Sequence, residues 1–467
     1  MRRSFDHVAQ GRRGPVRRAE LGIEHRKADA RAWSLPRVVA RGAAHQLRLD
    51  VPEPAQNPYA ALRIPNFQRY IAGLLAFTMA IQIQGTVVGW QVYQLTHDKL
   101  ALGLIGLAEA LPFISMSLYA GHIADRHDRR GLALGALGVL LLCSVALLVL
   151  PVLLPTAPQL VVRAIYAVIM LSGVARSFLQ PARQALGAEL VPRTLYGNAI
   201  TWRSGTWQLA SVIGPALGGL LYAAGGTTLA YTVDVALTIA GVAGIAMIRH
   251  RSALQPRHDE RIVDSLAVGV RFVFRERLLL GALSLDLFSV LFGGATALLP
   301  VFADEILHVG PRGLGLLRAA PAIGAVVMSV ALAHLPPVAK AGRALLRAVA
   351  LFGICIIAFG LSRSFALSVA ALALSGAADM VSVFIRSTLI QTMTPVHMLG
   401  RVMSVNSVFV GSSNEIGMFE SGVTAQWLGT VPSVVLGGVA TLVVVAVTAW
   451  RLPAIRTLGR IDAHSVQ

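Results

Sequence analysis

Charge is scarce in this sequence. Of its 467 residues only 14% are Asp, Glu, Lys or Arg, 55% are hydrophobic, and the mean hydropathy is +0.65. Soluble domains carry about 25% charged residues, so the deficit points to a solvent other than water. Cysteine is nearly missing. Cys143 and Cys355 each sit inside an apolar run, which argues against a disulfide framework or a zinc site. There is no G-x-x-x-x-G-K-[ST] loop, which excludes an ATP-driven pump as far as sequence can. No cofactor and no metal are expected, because His122 and His127 are a weak pair inside a stronger charge motif. The first 56 residues lack the apolar stretch of about 7–15 residues that a signal peptide needs.

What the chain has in quantity is apolar sequence in lengths of about 20 residues, enough to span a bilayer. Hydropathy gives twelve spans, at 70–95, 100–122, 131–153, 158–181, 198–223, 229–249, 278–303, 312–334, 344–361, 365–391, 402–428 and 431–451. The expected class is therefore all-α, a polytopic membrane protein with 12 transmembrane helices in two six-helix halves. The boundaries are a basic tail at 1–56, a first half at 57–249, a linker at 250–277, a second half at 278–453 and a tail at 454–467. For residues 1–56 disorder is the leading expectation. A start nearer Val51 and an amphipathic surface segment are the other two.

The net charge of +18 resembles a nucleic-acid signal, but its placement does not. The first 69 residues hold 14 of the 41 Lys and Arg, and most others fall in alternate loops. One set of loops carries Arg126, Arg129, Arg130, Arg193, the stretch 249–277, Lys340, Arg343 and Arg401, and the C-terminal tail adds Arg451, Arg456 and Arg460. The opposite set carries little more than Lys99, Arg312 and Arg363, together with Asp304 and Glu305. This is the positive-inside pattern, and it places both termini and the linker in the cytoplasm. Within the linker Ile262, Leu266, Val270 and Phe274 recur every four positions and Arg271 and Arg275 mark another face, as in an amphipathic helix lying in the membrane interface.

The halves resemble each other. Residues 172–222 fall on 375–425 at an offset of 203, pairing Ser172, Gly173, Arg183, Pro192, Gly197 and Gly214 with Ser375, Gly376, Arg386, Pro395, Gly400 and Gly417. At an offset of 209, Gly106, Pro112 and Ala124 fall on Gly315, Pro321 and Ala333. Parallel six-span repeats place a substrate site near the midplane between halves.

Three motifs carry mechanism. Between spans two and three lies Gly121-His122-Ile123-Ala124-Asp125-Arg126-His127-Asp128-Arg129-Arg130, with a small residue for close approach and a carboxylate at a helix end among arginines. Its plain alternative is a merely basic loop. Span five holds Gly214-Pro215-Ala216-Leu217-Gly218-Gly219, which combines a helix kink with tight packing, and generic small-residue packing is the alternative. Span four ends in Ala175-Arg176-Ser177-Phe178-Leu179-Gln180-Pro181-Ala182-Arg183, followed by Glu189-Leu190-Val191-Pro192.

The first motif resembles the major facilitator signature G-x-L-A-D-R-x-G-R-R, with Ile123 for Leu and Asp128 for Gly. The second resembles the span-five signature of major facilitator exporters and antiporters, with Thr201 and Ala210 where glycines are expected upstream. With Asn57-Pro58-Tyr59-Ala60-Ala61-Leu62, the third is similar to the enterobactin-exporter and macrolide-efflux-like branch. The resemblance runs from about residue 57 to 453. It implies a conformational latch of Gly121, Asp125, Arg126, Arg129, Arg130, Arg183 and Arg401, and antiporter-type packing at Gly214, Pro215, Gly218 and Gly219. It also implies no catalysis.

Ionisable residues inside spans are costly and are functional candidates by default. They are Glu109, Arg176, Arg203, Asp234, Asp286, Arg318, Asp379, Glu415 and Glu420. Glu109 and Arg318 occupy matching repeat positions with opposite charge, which suggests a polar pair or gate. Glu109 leads as the proton-coupling residue and Asp286, with no evident partner, comes second. Asp379 and Glu415 complete the coupling or gating set, against the alternative of static salt bridges. Gln84, Gln91 and Gln94 share a face of span one near Trp90. Gln84, Trp90, Gln91, Arg176 and Arg203 are candidates to line a cavity, with interhelical hydrogen bonding as the alternative. The expected partners are a small-molecule substrate, protons and the lipid bilayer, with no nucleic acid, and the chain is expected to be a monomer in the cell (inner) membrane. The leading function is proton-coupled efflux of a siderophore, macrolide or other drug-like molecule. Metabolite import by the same kind of transporter is the alternative, and a membrane receptor or enzyme the distant one.

Overall fold

A computed structural model of the protein describes residues 57–249, 262–335, 340–395 and 398–459. The expected tail at 1–56, the linker start at 250–261, Arg460, and the side chains of Leu118, His122, Asp125, residues 262–267 and Ser404 lie outside the described residues.

The described residues are helical. They form α1 (Pro65–Thr96), α2 (Lys99–Arg126), α3 (Arg129–Leu153), α4 (Pro158–Glu189), α5 (Tyr196–Ala246), α6 (Ile262–Arg275), α7 (Arg277–Gly293), α8 (Gly310–His334), α9 (Ala341–Leu361), α10 (Phe365–Met393), α11 (Leu399–Leu428), α12 (Thr430–Arg451) and α13 (Pro453–Thr457). Ten stretches among the described residues are long and apolar enough to cross a membrane. The longest of these contains α5, in which Gly225 and Gly226 leave helical geometry, Gly226 at φ 65°. It is therefore two spans with no loop between them. α11 is outside the ten because Asn406, Asn414, Glu415 and Glu420 make it too polar, although its 30 residues suffice to cross.

Two boundaries differ from hydropathy for physical reasons. Helices continue past the apolar runs, so the fourth span, expected to end at 181, extends to Glu189 with Pro181 inside it. The seventh span does not continue as one helix to 303. After Gly293 it becomes a 3-10 turn (Ala295–Leu298), one α turn (Leu299–Val301) and a π turn (Phe302–Ile306). Asp304 and Glu305 thus belong to the end of that span and not to a loop.

Each half is held by close helix contacts at small residues. In the first half α5 lies along α1: a Cβ at Gly214 would come within 2.5 Å of the Gln82 Cβ, and one at Gly244 within 2.7 Å of the Gly73 Cα. In the second half a Cβ at Gly324 would strike the Ala373 carbonyl and one at Gly376 the Pro321 carbonyl, which fixes α8 against α10. α6 docks on the second half, with Val273 fully buried among Leu279, Leu283, Ile390 and Val402.

Candidate functional site

The contacts joining the two halves gather on the side with the Arg-poor loops. A Cβ at Gly103 would lie 3.0 Å from the Gly422 Cα and one at Gly106 2.8 Å from the Glu415 carbonyl, so α2 and α11 touch backbone to backbone. A Cβ at Gly219 would lie 2.3 Å from the Pro311 carbonyl, and one at Gly315 2.7 Å from the Pro215 carbonyl, joining α5 to α8. At the tips the Tyr93 hydroxyl donates to the Glu305 carboxylate, and the Gln94 amide donates to Asp304 at 3.3 Å. Buried residues of both halves, among them Val92, Tyr93, Phe302 and Leu314, share one core there. Deeper in, Phe113 meets Gly411. Toward the Arg-rich side, a Cβ on Gly121, Gly197 or Gly205 would meet nothing within 4 Å, and Tyr119, Ile200, Trp207, Val327 and Met403 are exposed.

The span-five motif divides its work between two faces. Gly214 and Gly218, four residues apart, press on α1 of their own half, the latter against Ile83 and Thr86. Pro215 and Gly219, one position on, press on α8 of the other half. A helix places residues four apart on one face, so the same short run fixes a half internally and seals it to its neighbour.

At the inner end of the seal sits a charged quartet. Arg176 of α4 forms an ion pair with Glu109 of α2, each side chain 23% exposed. Arg318 of α8 crosses to the first half and donates to the Gly85 carbonyl of α1 at 2.8 Å, and the absence of side chains at Gly85 and Gly89 leaves room for it. Glu109 and Glu415 both act electrostatically on Arg318, and Glu415 also feels Arg176. The expected Glu109–Arg318 pairing is corrected: the ion pair of Glu109 is with Arg176 in its own half, because α2 and α4 pack directly, while Arg318 takes a backbone acceptor. The Arg176 Nε and one Glu415 oxygen are buried with no hydrogen-bond partner.

At the signature loop, Asp128 caps α3 by accepting from the Gly131 amide at 2.8 Å, which explains a carboxylate where the signature has glycine. Arg129 forms an ion pair with Glu189 at the end of α4. Arg130 donates to the Ala246 carbonyl at 2.6 Å and also reaches that of Ile245, satisfying the C-terminus of α5. Gly121 faces open space, and Asp125 lies in the last helical stretch of α2 with its side chain outside the described residues. Arg183 and Arg203 converge on Tyr70, whose hydroxyl donates to the Arg183 carbonyl at 3.0 Å. Arg401 packs by its backbone under Gly269 of α6. The structure therefore gathers Arg129 and Arg130 with helix ends of one half and places Arg183 deeper in that half.

The remaining candidates disperse. Asp286, expected to lack a partner, forms a buried ion pair with Arg386 of α10, and Asp379 acts on the same two groups. Gln84 donates to Ser144 and to Asp234, both at 3.4 Å. Gln91 accepts from the Tyr231 hydroxyl at 2.6 Å, and Trp90 packs edge-on against Tyr222. Both are buried in the closed core, so in this state neither lines an open cavity. Sequence reasoning missed Glu189, Arg386, Glu305 and Ser144. Arg386 carried a signal as the repeat partner of Arg183, and Glu189 stood in the quoted span-four run.

Comparison with known proteins agrees with this geometry. Residues 56–465 match the family described as transmembrane secretion effector. The chain is 30% identical over 343 residues to the enterobactin exporter EntS of Shigella flexneri, covering 72% of this chain and 80% of that protein. It is equally identical over 345 residues to EntS of Escherichia coli O139:H28. Among solved structures it resembles a POT family transporter (TM-score 0.67, 13% identity, 83% of this chain and 96% of that one). The nucleoside transporter NupG also superposes (TM-score 0.66, 11% identity, 83% and 100%). At those identities the structures bear on the fold alone.

Proposed function

Since the chain belongs to the transmembrane secretion effector family of the major facilitator superfamily, in its enterobactin-exporter branch, we propose that it exports a small organic compound through the cell (inner) membrane by proton-coupled alternating access. It is a multi-pass transporter and not an enzyme. One observation supports the mechanism: the halves meet backbone to backbone on the Arg-poor side, whereas Gly121, Gly197 and Gly205 toward the Arg-rich side face open space. With the Arg-rich loops and both termini cytoplasmic, this is the inward-facing state of a monomer. Efflux is supported by the span-five packing and by the export function in the relatives' names. A siderophore, macrolide or similar drug-like molecule is the substrate class.

The coupling and gating roles fall to Glu109, Arg318 and Glu415 at the seal and to Asp286 and Asp379 in the second half. The cavity is lined from the Arg-rich side toward Arg176, with Arg203 nearer its mouth, and Gln84 behind the seal. In the opposite state the latch formed by Gly121, Asp125, Arg126, Arg129, Arg130, Arg183 and Arg401 closes the cytoplasmic face. Asp125→Asn should then raise cysteine accessibility from the cytoplasm while leaving equilibrium substrate binding unchanged. The direct test uses everted vesicles acidified inside and offered enterobactin, a macrolide or a cationic dye. Accumulation that collapses with a protonophore is expected. Accumulation in right-side-out vesicles instead would show import.

A further inference from the structure

The seam between α2 and α11 can be followed residue by residue. Gly103 meets Gly422 at its outer end, Gly106 meets Glu415 and Met418 in the middle, and Gly411 meets Phe113 at the inner end. Glu415 stands one helical turn from that inner contact, and further along α2 Gly121 faces open space. The Glu415 carbonyl, 2.8 Å from where a Gly106 Cβ would stand, is part of the seal itself.

The carboxyl group of Glu415 is unmatched. One of its oxygens is buried with no hydrogen-bond partner, and no ion pair of Glu415 is found among the described residues. The charges around it are engaged elsewhere. Glu109 of α2 and Arg176 of α4 pair with each other. Arg318 of α8 donates to the Gly85 carbonyl of α1. Asp286 of α7, the helix packed on α11 at Gly417, pairs with Arg386. Glu420, the other acidic residue of α11, adds only negative charge. A carboxylate so placed holds its charge away from water without a partner, which is costly, whereas the neutral acid avoids most of that cost. We propose that Glu415 carries the transported proton, holding it while the α2–α11 seam is closed and existing as the carboxylate when the seam is parted. This rests on the proton-coupled reading above and names its site.

The coupling is a matter of linkage. A ligand shifts a two-state equilibrium toward the state that binds it more tightly. The closed seam binds this proton more tightly, because parting the seam brings water to the carboxylate. Proton binding therefore favours the outer-closed state and proton release the outer-open one. In release the O–H bond of the acid breaks, its electron pair stays on the carboxylate oxygen, and the proton passes to water on the open side, which the half-buried residue can reach. In uptake a proton from outside water returns to the same oxygen while the seam is parted. That is the order an exporter requires. Arg318 works in the same direction. It belongs to the same half as Glu415 and feels its charge. A carboxylate there draws the guanidinium from the Gly85 carbonyl of the other half, which removes a tie between the halves.

The full chain, with Cys143 and Cys355 replaced by serine, is reconstituted in nanodiscs with spin labels at Thr156→Cys and Arg363→Cys, in exposed loops of the two halves on the Arg-poor side. The distance distribution is then measured as pH rises. The parent should shift to longer distances. Glu415→Gln, which keeps the shape of the acid and cannot ionise, should stay at the short distance throughout. Glu415→Asp should keep the shift with a displaced midpoint, which a purely structural role would not produce. Infrared spectra should show a protonated carboxyl band that titrates in the parent and is missing in Glu415→Gln. A shift in Glu415→Gln equal to the parent's, or its loss in Asp234→Asn or Asp286→Asn instead, overturns the assignment alone. A parent that does not respond to pH overturns proton coupling itself.

Discussion

The seal depends on single hydrogen atoms where side chains would be. Gly219 has the Pro311 carbonyl 2.3 Å from where its Cβ would stand, and backbone cannot turn aside as a flexible side chain can. Gly219→Val should cost the outer-closed state about 1–3 kcal/mol of overpacking, roughly 5- to 150-fold in the closed-to-open ratio. A membrane-impermeant thiol reagent should then reach a cysteine placed at Val92, buried in the core that the halves share, from outside. Normal protection of that cysteine would refute the seal. Glu109→Gln removes the charge that holds Arg176, so accumulation in everted vesicles should stop while exchange of substrate down its gradient continues. Unimpaired accumulation would remove Glu109 from the coupling path. The charged residues themselves were legible, because an ionisable group in an apolar run stands out. Their partners were not. Sequence aligned Glu109 with Arg318 by repeat, but which guanidinium a carboxylate meets depends on helix neighbours. The α2–α4 contact at Gly173 brings Arg176 instead.

Among the helices, the hydropathy reading is consistent with the crossing segments and differs at their ends. Apolarity decides what enters lipid, whereas hydrogen bonding decides how far a helix runs. The break within α5 had a written cue in Gly225-Gly226. The end of the regular helix in the seventh span had the same cue in Gly293-Gly294, followed by Pro300, which hydropathy alone passes over. At Gly226, φ 65° with ψ −159° is backbone that only glycine adopts without strain, and open space surrounds its Cβ position. Gly226→Ala should therefore cost about 1–3 kcal/mol through the backbone alone, read as a lower Tm in detergent with transport direction unchanged. The linker helix α6 presents Val270 and Phe274 outward with Arg271 and Arg275. Its docking face of Gly269 and Val273 was not evident, because a glycine and one valine leave no periodic mark. A Cβ at Gly269 would stand 3.1 Å from the Arg401 carbonyl. Gly269→Leu should lift α6 from α11 and expose the linker to limited proteolysis, and an unchanged cleavage pattern would argue against that docking.

For the whole molecule, two halves meet through contacts on one side, and the exposed Trp427 and Trp450 each stand next to the C-terminal residue of their helix, α11 and α12, where amphipathic rings suit the lipid–water boundary. The family match begins at residue 56, so deleting residues 1–50 should leave membrane insertion and transport intact. Loss of folded protein on that deletion would contradict this. The repeat has a last implication, in the opposite charges at equivalent places. Glu109 corresponds to Arg318, and by the offset of 203 Arg176 corresponds to Asp379. Two copies of the first half would set carboxylate against carboxylate at the first of these places, whereas the actual pair sets Glu109 near Arg318. Two copies of the first half would also lack the Arg318 that reaches across to the Gly85 carbonyl, so by this tie the halves are not interchangeable.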